Sequence, residues 1–355
     1  MKRTTGRIIR PDSLDWPSNI DILQIGLSQS LWSALLSCRR RFLFIINGYS
    51  NPRKVFSTNF GSMVHEVNDK VYSRNEFPTK TQIVNYIDAF IDAELKKNTL
   101  MSEQLLETEA AKAEATLVPY FEYYKKDFHT KNFFDVEKVF SVLHNDLRMR
   151  GKIDGKFRIS KTEKWLLEHK TKGQINEQTL LEYLPLDFQN LYYLLADELE
   201  TKTKAKGVLY NVIRNTGIKQ KKNQSIKSYS EDIRKSIAEN PEHHFKRWEI
   251  VYPEKDQDEF KVHVNMMAEE LKDRDNMLMY PNRWSCQNPW PCPFLTACST
   301  NSCSSLTKSN DTVENILFPE LANTSTEKTS DDKKSTKIEI TRKNKEKLAK
   351  RIKSR

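Results

Sequence analysis

The run Gly207–Arg214 (GVLYNVIR) constrains the fold of this chain more than any other stretch. It is apolar on both alternating faces and short, the pattern of a strand buried between two layers. Three earlier segments share that character: Phe133–Phe140 (FFDVEKVF), Leu147–Ile159 (LRMRGKIDGKFRI) and Lys164–Thr171 (KWLLEHKT). Gly151, Gly155 and Gly173 punctuate them, as glycine does where strands turn. A further strand is expected at 247–252, and helices at Leu186–Leu199, near 229–239 and at 256–276. Strands lying together with helices around them predict an α/β fold, a mixed sheet flanked by helices.

The first part of the chain reads differently. Residues 27–47 predict a helix, capped by Ser28 or Ser30 and ended by Gly48. Gly61–Arg74 predicts a second, and residues 80–128 carry two amphipathic patterns split near Asn98–Met101. The expected organisation is an irregular lead-in over 1–26 and one domain over 27–304. That domain divides into a helical part (27–130), an α/β core (131–280) and a Cys-rich closing segment (281–304). Residues 305–355 are polar and rich in Ser, Thr and Lys, the composition of a disordered tail.

No stretch approaches the ~18–20 consecutive apolar residues of a membrane span. Met1-Lys2-Arg3 is not followed by an apolar segment, so no secretory signal is read and a cytoplasmic location is expected. Formal net charge is +10. Residues 305–355 hold 13 Lys/Arg and 8 Asp/Glu, so the tail carries +5 of it and the body the other half. Such a surplus favours polyanions only weakly. Lys333–Arg355, with 11 basic and 2 acidic residues, fits a basic arm for nucleic acid or a solubilising tail.

The chemistry concentrates in Gly151-Lys152-Ile153-Asp154-Gly155 and Glu168-His169-Lys170. Asp154 lies at a glycine-flanked turn between two strand-like runs. On a strand Glu168 and Lys170 point to one face and His169 to the other, and Trp165-Leu166-Leu167 marks that strand as buried. Two adjacent carboxylates repel, and Mg²⁺ or Mn²⁺, which prefer oxygen ligands, would remove that penalty. Lys170 would stabilise developing charge or orient a water. Glu-x-Lys also occurs at 94–96, 200–202, 259–261 and 270–272, always in helical-looking sequence. On the residues alone, a surface aspartate in a hairpin beside an unrelated ion pair fits as well.

The ordered series Gly61-x-x-x-His65, Asp154, Glu168-x-Lys170 and Gln189-x-x-x-Tyr193 resembles the RecB-like branch of the PD-(D/E)XK nucleases, over roughly residues 28–300. That branch includes the RecB nuclease domain, the AddAB-type nucleases, the CRISPR-associated RecB-like exonucleases and many phage-encoded relatives. Leu209–Lys222 (LYNVIRNTGIKQKK) looks like a stretch common in the phage-encoded members. The resemblance implies a restriction-endonuclease-like fold and hydrolysis of DNA. It implies His65 as a further metal ligand beside Asp154 and Glu168, with Lys170 completing the catalytic set. Gln189 and Tyr193, one helical turn apart, would position DNA or Lys170. Taken singly, His65 also reads as a helix-face histidine and Tyr193 as ordinary packing. Glu137, in the preceding strand, is a candidate helper outside this set.

Of five cysteines, Cys286, Cys292, Cys298 and Cys303 lie near the end of the body and Cys38 far upstream. Five residues separate Cys286 from Cys292 and Cys292 from Cys298, unlike the close pairs of a zinc finger. The pattern resembles the iron–sulfur staple of the AddAB-type and CRISPR-associated members, in which one N-terminal and three C-terminal cysteines hold a [4Fe–4S] cluster. That implies Cys38, Cys286, Cys292 and Cys298 as ligands, with Cys303 spare. Those relatives usually place two residues between the first two C-terminal cysteines, not five. Zinc and free thiols stay open as alternatives.

Arg214, ending a strand, is a candidate phosphate contact. The expected activity is that of a metal-dependent DNA exonuclease acting on single-stranded ends, in replication, recombination, repair or phage DNA metabolism. An endonuclease with the same centre and a catalytically silent DNA-binding protein are the rivals. No Gly-x-x-x-x-Gly-Lys-Ser/Thr loop occurs, so a motor would have to come from a separate helicase.

Overall fold

The structure, a computed structural model, describes residues 14–51, 59–97, 103–273, 280–288, 291–318 and 321. The expected helix over 27–47 is two helices, α2 (Gln29–Ser37) and α3 (Arg39–Ile46), preceded by a short α1 (Ile22–Ile25) in what reads as lead-in. Ser28, not Ser30, caps α2, its Oγ accepting from the Leu31 N–H at 3.3 Å. The break falls at Cys38, which adopts extended backbone (φ −165°, ψ 111°) and so ends one helix and starts the next. Strand β1 (Tyr49–Ser50), α4 (Asn59–Arg74), α5 (Lys80–Lys97), α6 (Glu103–Tyr123) and α7 (Asp127–Thr130) follow. The expected split near Asn98–Met101 falls outside the described residues.

Both expected strands between 133 and 159 are interrupted. The first is β2 (Asn132–Phe134) and β3 (Lys138–His144); the second is β4 (Leu147–Ile153) and β5 (Gly155–Arg158). Asp154 sits at the second break, the glycine-flanked turn expected between two strand-like runs. At the first, Asp135 and Glu137 take left-handed backbone (φ 49° and 50°), which costs a non-glycine residue about 1 kcal/mol. Next come β6 (Lys164–Lys172), α8 (Glu177–Tyr183), a 3₁₀ turn (Leu184–Leu186) and α9 (Phe188–Thr201). They are followed by β7 (Gly207–Arg214), α10 (Ile226–Glu239), α11 (Pro241–His244), β8 (Phe245–Val251) and α12 (Glu254–Lys272).

The sheet is mixed and five-stranded, in the order β2-β5-β6-β7-β8, with only β6 and β7 parallel. The β3–β4 hairpin forms a separate ladder. Alternation along the central strands divides the core. Trp165, Leu167, Leu209 and Ile213 pack with α4, α5, α6 and α10 on one face. Leu166, Val208, Tyr210 and Val212 pack with Leu184 and Leu194 on the other. A third cluster joins α2, α3, the hairpin, α9 and α12.

The ordered body continues past residue 304, where the composition suggests a tail. After a 3₁₀ turn (Arg283–Cys286) and α13 (Leu295–Thr300), β9 (Thr307–Lys308) pairs antiparallel with β1. Helix α14 (Val313–Leu317) then buries Leu317, with Phe318 just beyond it. The reason is apolar content that the surrounding Ser, Thr and Lys conceal in an averaged composition. Residues 322–355, with the basic run, lie outside the described residues. Among the described residues no helix is long and apolar enough to cross a membrane.

Candidate active site

The last pair between β5 and β6 is Gly155 with Leu167. One step further along the same register lie Asp154 and Glu168, where the two strands part. From there β6 has β7 on one side and no strand on the other. The His169 N–H on the open side is satisfied by the Asp154 carboxylate, Oδ2 accepting at 2.7 Å. This freed ladder position fixes Asp154 beside Glu168. Alternation turns His169 away, into the opposite layer, where its ring stacks 5.3 Å from Tyr72 and its Nδ1 meets Asn211 Nδ2 at 2.8 Å.

Helix α4 brings His65 across the open end of the strands. The helix comes close because residue 61 is glycine: a Cβ there would stand 3.0 Å from Thr171 Oγ1 of β6. His65 Nδ1 lies 3.8 Å from Asp154 Oδ1 and 4.0 Å from Glu137 Oε1. His65, Glu137 and Asp154 each offer a ligand atom within 4.8 Å of the others. Burial holds the His65 imidazole below its ordinary pKa, hence neutral with a lone pair to donate. Glu168 stands beside this trio rather than within it. Its Oε1 pairs with Lys170 and accepts from Gln189 Nε2 at 2.9 Å. Gln189 Oε1 in turn accepts from Lys170 Nζ at 2.9 Å. Gln189 therefore fixes both members of Glu168-x-Lys170 from α9. Its position follows from the Asp187 cap, whose Oδ1 accepts from the Asn190 N–H at 2.9 Å. Tyr193, one turn on, is hydrogen-bonded to Gln189 and lies within electrostatic reach of Glu168 and Asp154.

The electrostatics of the cluster fit a bound cation. Burial and the neighbouring Asp154 charge push Glu168 up to about 7, and the same two causes push Glu137 up to about 7. Burial also raises Asp154. Glu168 Oε2 is buried without a hydrogen-bond partner. Three carboxyls and a neutral imidazole that cannot all be charged together fit a divalent cation, which would relieve both the repulsion and the unmet oxygen. Burial acts to lower the Lys170 pKa, but Glu168 and Asp154 outweigh it, so the ammonium stays charged.

Glu137 and Lys152 are the residues that sequence reasoning left outside the set. The left-handed turn at 135–137 aims Glu137 at the centre, and its N–H donates to the Asp154 carbonyl at 3.0 Å. Lys152 pairs with the other Glu137 oxygen. Its spacing, two before Asp154 at the end of one strand, was the available signal.

A second site forms where the α2–α3 junction meets residues 281–298. Cys38, Cys286, Cys292 and Cys298 line one cavity together with Arg41 and Asn282. The Asn282 N–H donates to Cys38 Sγ at 3.3 Å, and Asn282 Nδ2 to the Ser37 carbonyl at 2.9 Å. Cys303 is not among the residues lining that cavity; it packs, partly buried, against the core. Burial pushes the Cys298 thiol up to about 11 and raises Cys292. Arg214 lies at the end of β7, in register with Lys172, its guanidinium against His243 at 3.2 Å from Nδ1.

The model of the PD-(D/E)XK nuclease superfamily matches residues 26–299. The chain belongs to the PD-(D/E)XK nuclease superfamily. The match spans both α4 with His65 and the sheet with Asp154, Glu168 and Lys170, so the chain is a metal-dependent nuclease by family. A solved structure described as "Crystal structure of SSO0001" is similar at 11% identity, covering 68% of this chain and 85% of that one, with a TM-score of 0.27. No curated protein matches the chain.

Proposed function

We propose that this PD-(D/E)XK nuclease is a DNA exonuclease of the RecB-like branch that works from single-stranded ends. The observation that carries the reading is the convergence of His65, Glu137 and Asp154 on one point, with Glu168 beside them and tied to Lys170 through Gln189. Asp154, Glu168 and His65 would hold Mg²⁺ or Mn²⁺, with Glu137 as an additional oxygen donor. Bound there, the cation supplies Lewis acidity and a water of lowered pKa. Lys170, charged and fixed by Gln189, stabilises negative charge on the phosphate oxygens. Tyr193 backs Gln189, and Arg214 offers a phosphate contact at the edge of the site.

The four-cysteine cavity would carry a [4Fe–4S] cluster on Cys38, Cys286, Cys292 and Cys298. Four convergent cysteines suit such a cluster. The raised thiol pKa values favour the protonated form without metal, and cluster charge would offset that. The cluster's role would be structural, tying the α2–α3 junction to residues 286–298. Residues 1–26 would then be lead-in, 27–318 the nuclease domain and the remainder a basic arm. DNA is the proposed partner, with a separate helicase or recombinase supplying unwound ends, in the cytoplasm or at the nucleoid.

The deciding test is Mn²⁺- or Mg²⁺-dependent degradation of end-labelled single-stranded DNA, comparing wild type with Lys170→Ala. Digestion of linear strands that vanishes in the variant and spares circular single strands is expected. Cleavage of circles would replace the exonuclease with an endonuclease, and a folded but inactive wild type would overturn the catalytic reading.

A further inference from the structure

Between β6 and α9 the chain makes an excursion whose side chains the metal centre does not use. It passes Gly173, which has open space around it, and enters α8, a seven-residue helix without one buried side chain. The excursion is nonetheless held at both ends. Glu177 accepts from Lys246 Nζ at 2.8 Å and from Trp248 Nε1 at 3.2 Å, both on β8. Leu184 is buried, and its carbonyl accepts the Tyr252 hydroxyl. Pro185 restricts the turn between. So held, the segment presents Tyr183 and Leu186 to solvent, 50% and 75% exposed. Both belong beside the catalytic centre. The Tyr183 hydroxyl is hydrogen-bonded to Asp187, the cap of α9, and Tyr183 lies within electrostatic reach of Lys170. Leu186 precedes Gln189 by three residues.

A single exposed leucine or tyrosine needs no explanation. Here an aromatic ring and an aliphatic side chain stand on an anchored surface segment at the rim of a nuclease centre, with cations along one flank. Lys170 and Lys172 share a face of β6, and Arg214 lies opposite Lys172 on β7. A phosphodiester backbone, with its regularly spaced negative charges, complements that row beside a nuclease centre. An unpaired base has a free π-face for Tyr183, whereas a base in duplex is already stacked on its neighbours.

We propose that Tyr183 and Leu186 form a platform on which an unpaired terminal base rests, with Lys172 and Arg214 taking the adjoining phosphates. This deepens the single-strand reading and rests on the nuclease assignment. The platform selects frayed or single-stranded ends without reading base identity, because every base offers a face. It acts by positioning: the base, once seated, holds the neighbouring phosphate near Lys170.

The test is binding of fluorescent oligothymidylate with Ca²⁺ in place of Mg²⁺, against the same strand ending in an abasic residue. Wild type should bind the intact end about tenfold more tightly, the size of one stacked base. Tyr183→Ala and Leu186→Ala should each remove most of that preference, Tyr183→Phe should keep it, and Gln178→Ala on the same helix should leave it unchanged. Both target side chains are exposed, so folding is not at issue. Equal wild-type affinity for the two ends, or a preference surviving in both alanine variants, overturns the platform. A protein that still degrades single strands in that event loses the platform alone. One that neither binds nor degrades them loses the single-strand reading as well.

Discussion

Gln189 shows how much one side chain can organise. Its amide satisfies Glu168 with the nitrogen and Lys170 with the oxygen, and so sets the distance between acid and base. Gln189→Ala should lower cleavage about 10–100-fold, the usual cost of losing a partner that orients metal-site ligands. A matching loss in Mn²⁺ affinity, followed by titration calorimetry, would assign the effect to Glu168 rather than Lys170. Protonation gives a second prediction. Glu168 and Glu137 keep their protons to about pH 7 in the folded, metal-free protein, against an ordinary value of 4.5. The folded state thus binds protons more tightly than the unfolded one. Metal-free stability should therefore fall as pH rises from about 4.5 through about 7. Urea midpoints across that window should decline for wild type and decline less steeply for Glu168→Gln, which leaves Glu137 in place. A flat wild-type profile would contradict the raised carboxyls. Mn²⁺ binding should release protons in the same window, visible as a calorimetric heat that depends on the buffer.

The elements bring these residues together by close approach and buried charge. Gly61 permits α4 to lie against Thr171 of β6. Gly61→Val should push α4 outward, cost about 1–3 kcal/mol as other overpacked sites do, and carry His65 out of reach of Asp154. Lower thermal stability with lost Mn²⁺ binding is the expected pair of results; unchanged binding would show that His65 is dispensable. On the far side of the centre, Asp197 of α9 is fully buried between Lys156 of β5, at 2.9 Å, and Lys164 of β6, at 2.6 Å. This triad fixes α9, and with it Gln189, against the sheet. Asp197→Ala removes the carboxylate that the two buried ammonium groups share, leaving Lys156 only Asp135 and Glu200 and Lys164 only Thr201 and Thr203, and should cost about 3 kcal/mol in chemical denaturation.

Taken as a whole, the molecule is closed where the α2–α3 junction meets residues 281–298. The α2–α3 break at Cys38, the turn at Cys286 and helix α13 with Cys298 converge, while β1 pairs with β9 beside them. A cluster there would cross-link segments about 250 positions apart in sequence, a large constraint on the unfolded chain. Protein purified without oxygen should contain iron and acid-labile sulfide and absorb near ~400 nm. Cys38→Ser should lose both and melt at lower temperature, whereas Cys303→Ser should keep both, because Cys303 does not line the cavity. Zinc without sulfide would redirect the assignment.

Sequence by itself determined the secondary-structure class, the buried strand at 207–214 and the opposite orientation of Glu168 and His169, since each follows from local periodicity. It also indicated the family, through the order of His65, Asp154, Glu168, Lys170 and Gln189. Tertiary structure alone decided the rest. The breaks at Cys38 and Asp135–Glu137 are stabilised by partners distant in sequence, so no local preference announces them, whereas the turn at Asp154 was legible in its flanking glycines. Glu137 joins His65 and Asp154 only because a left-handed turn crosses the point where β5 and β6 part. The ordered stretch past 304 is likewise invisible in composition, since its few apolar residues acquire meaning only against α3 and β4. Periodicity reports which way a side chain faces; which other side chain it meets is set by the packing of elements far apart along the chain.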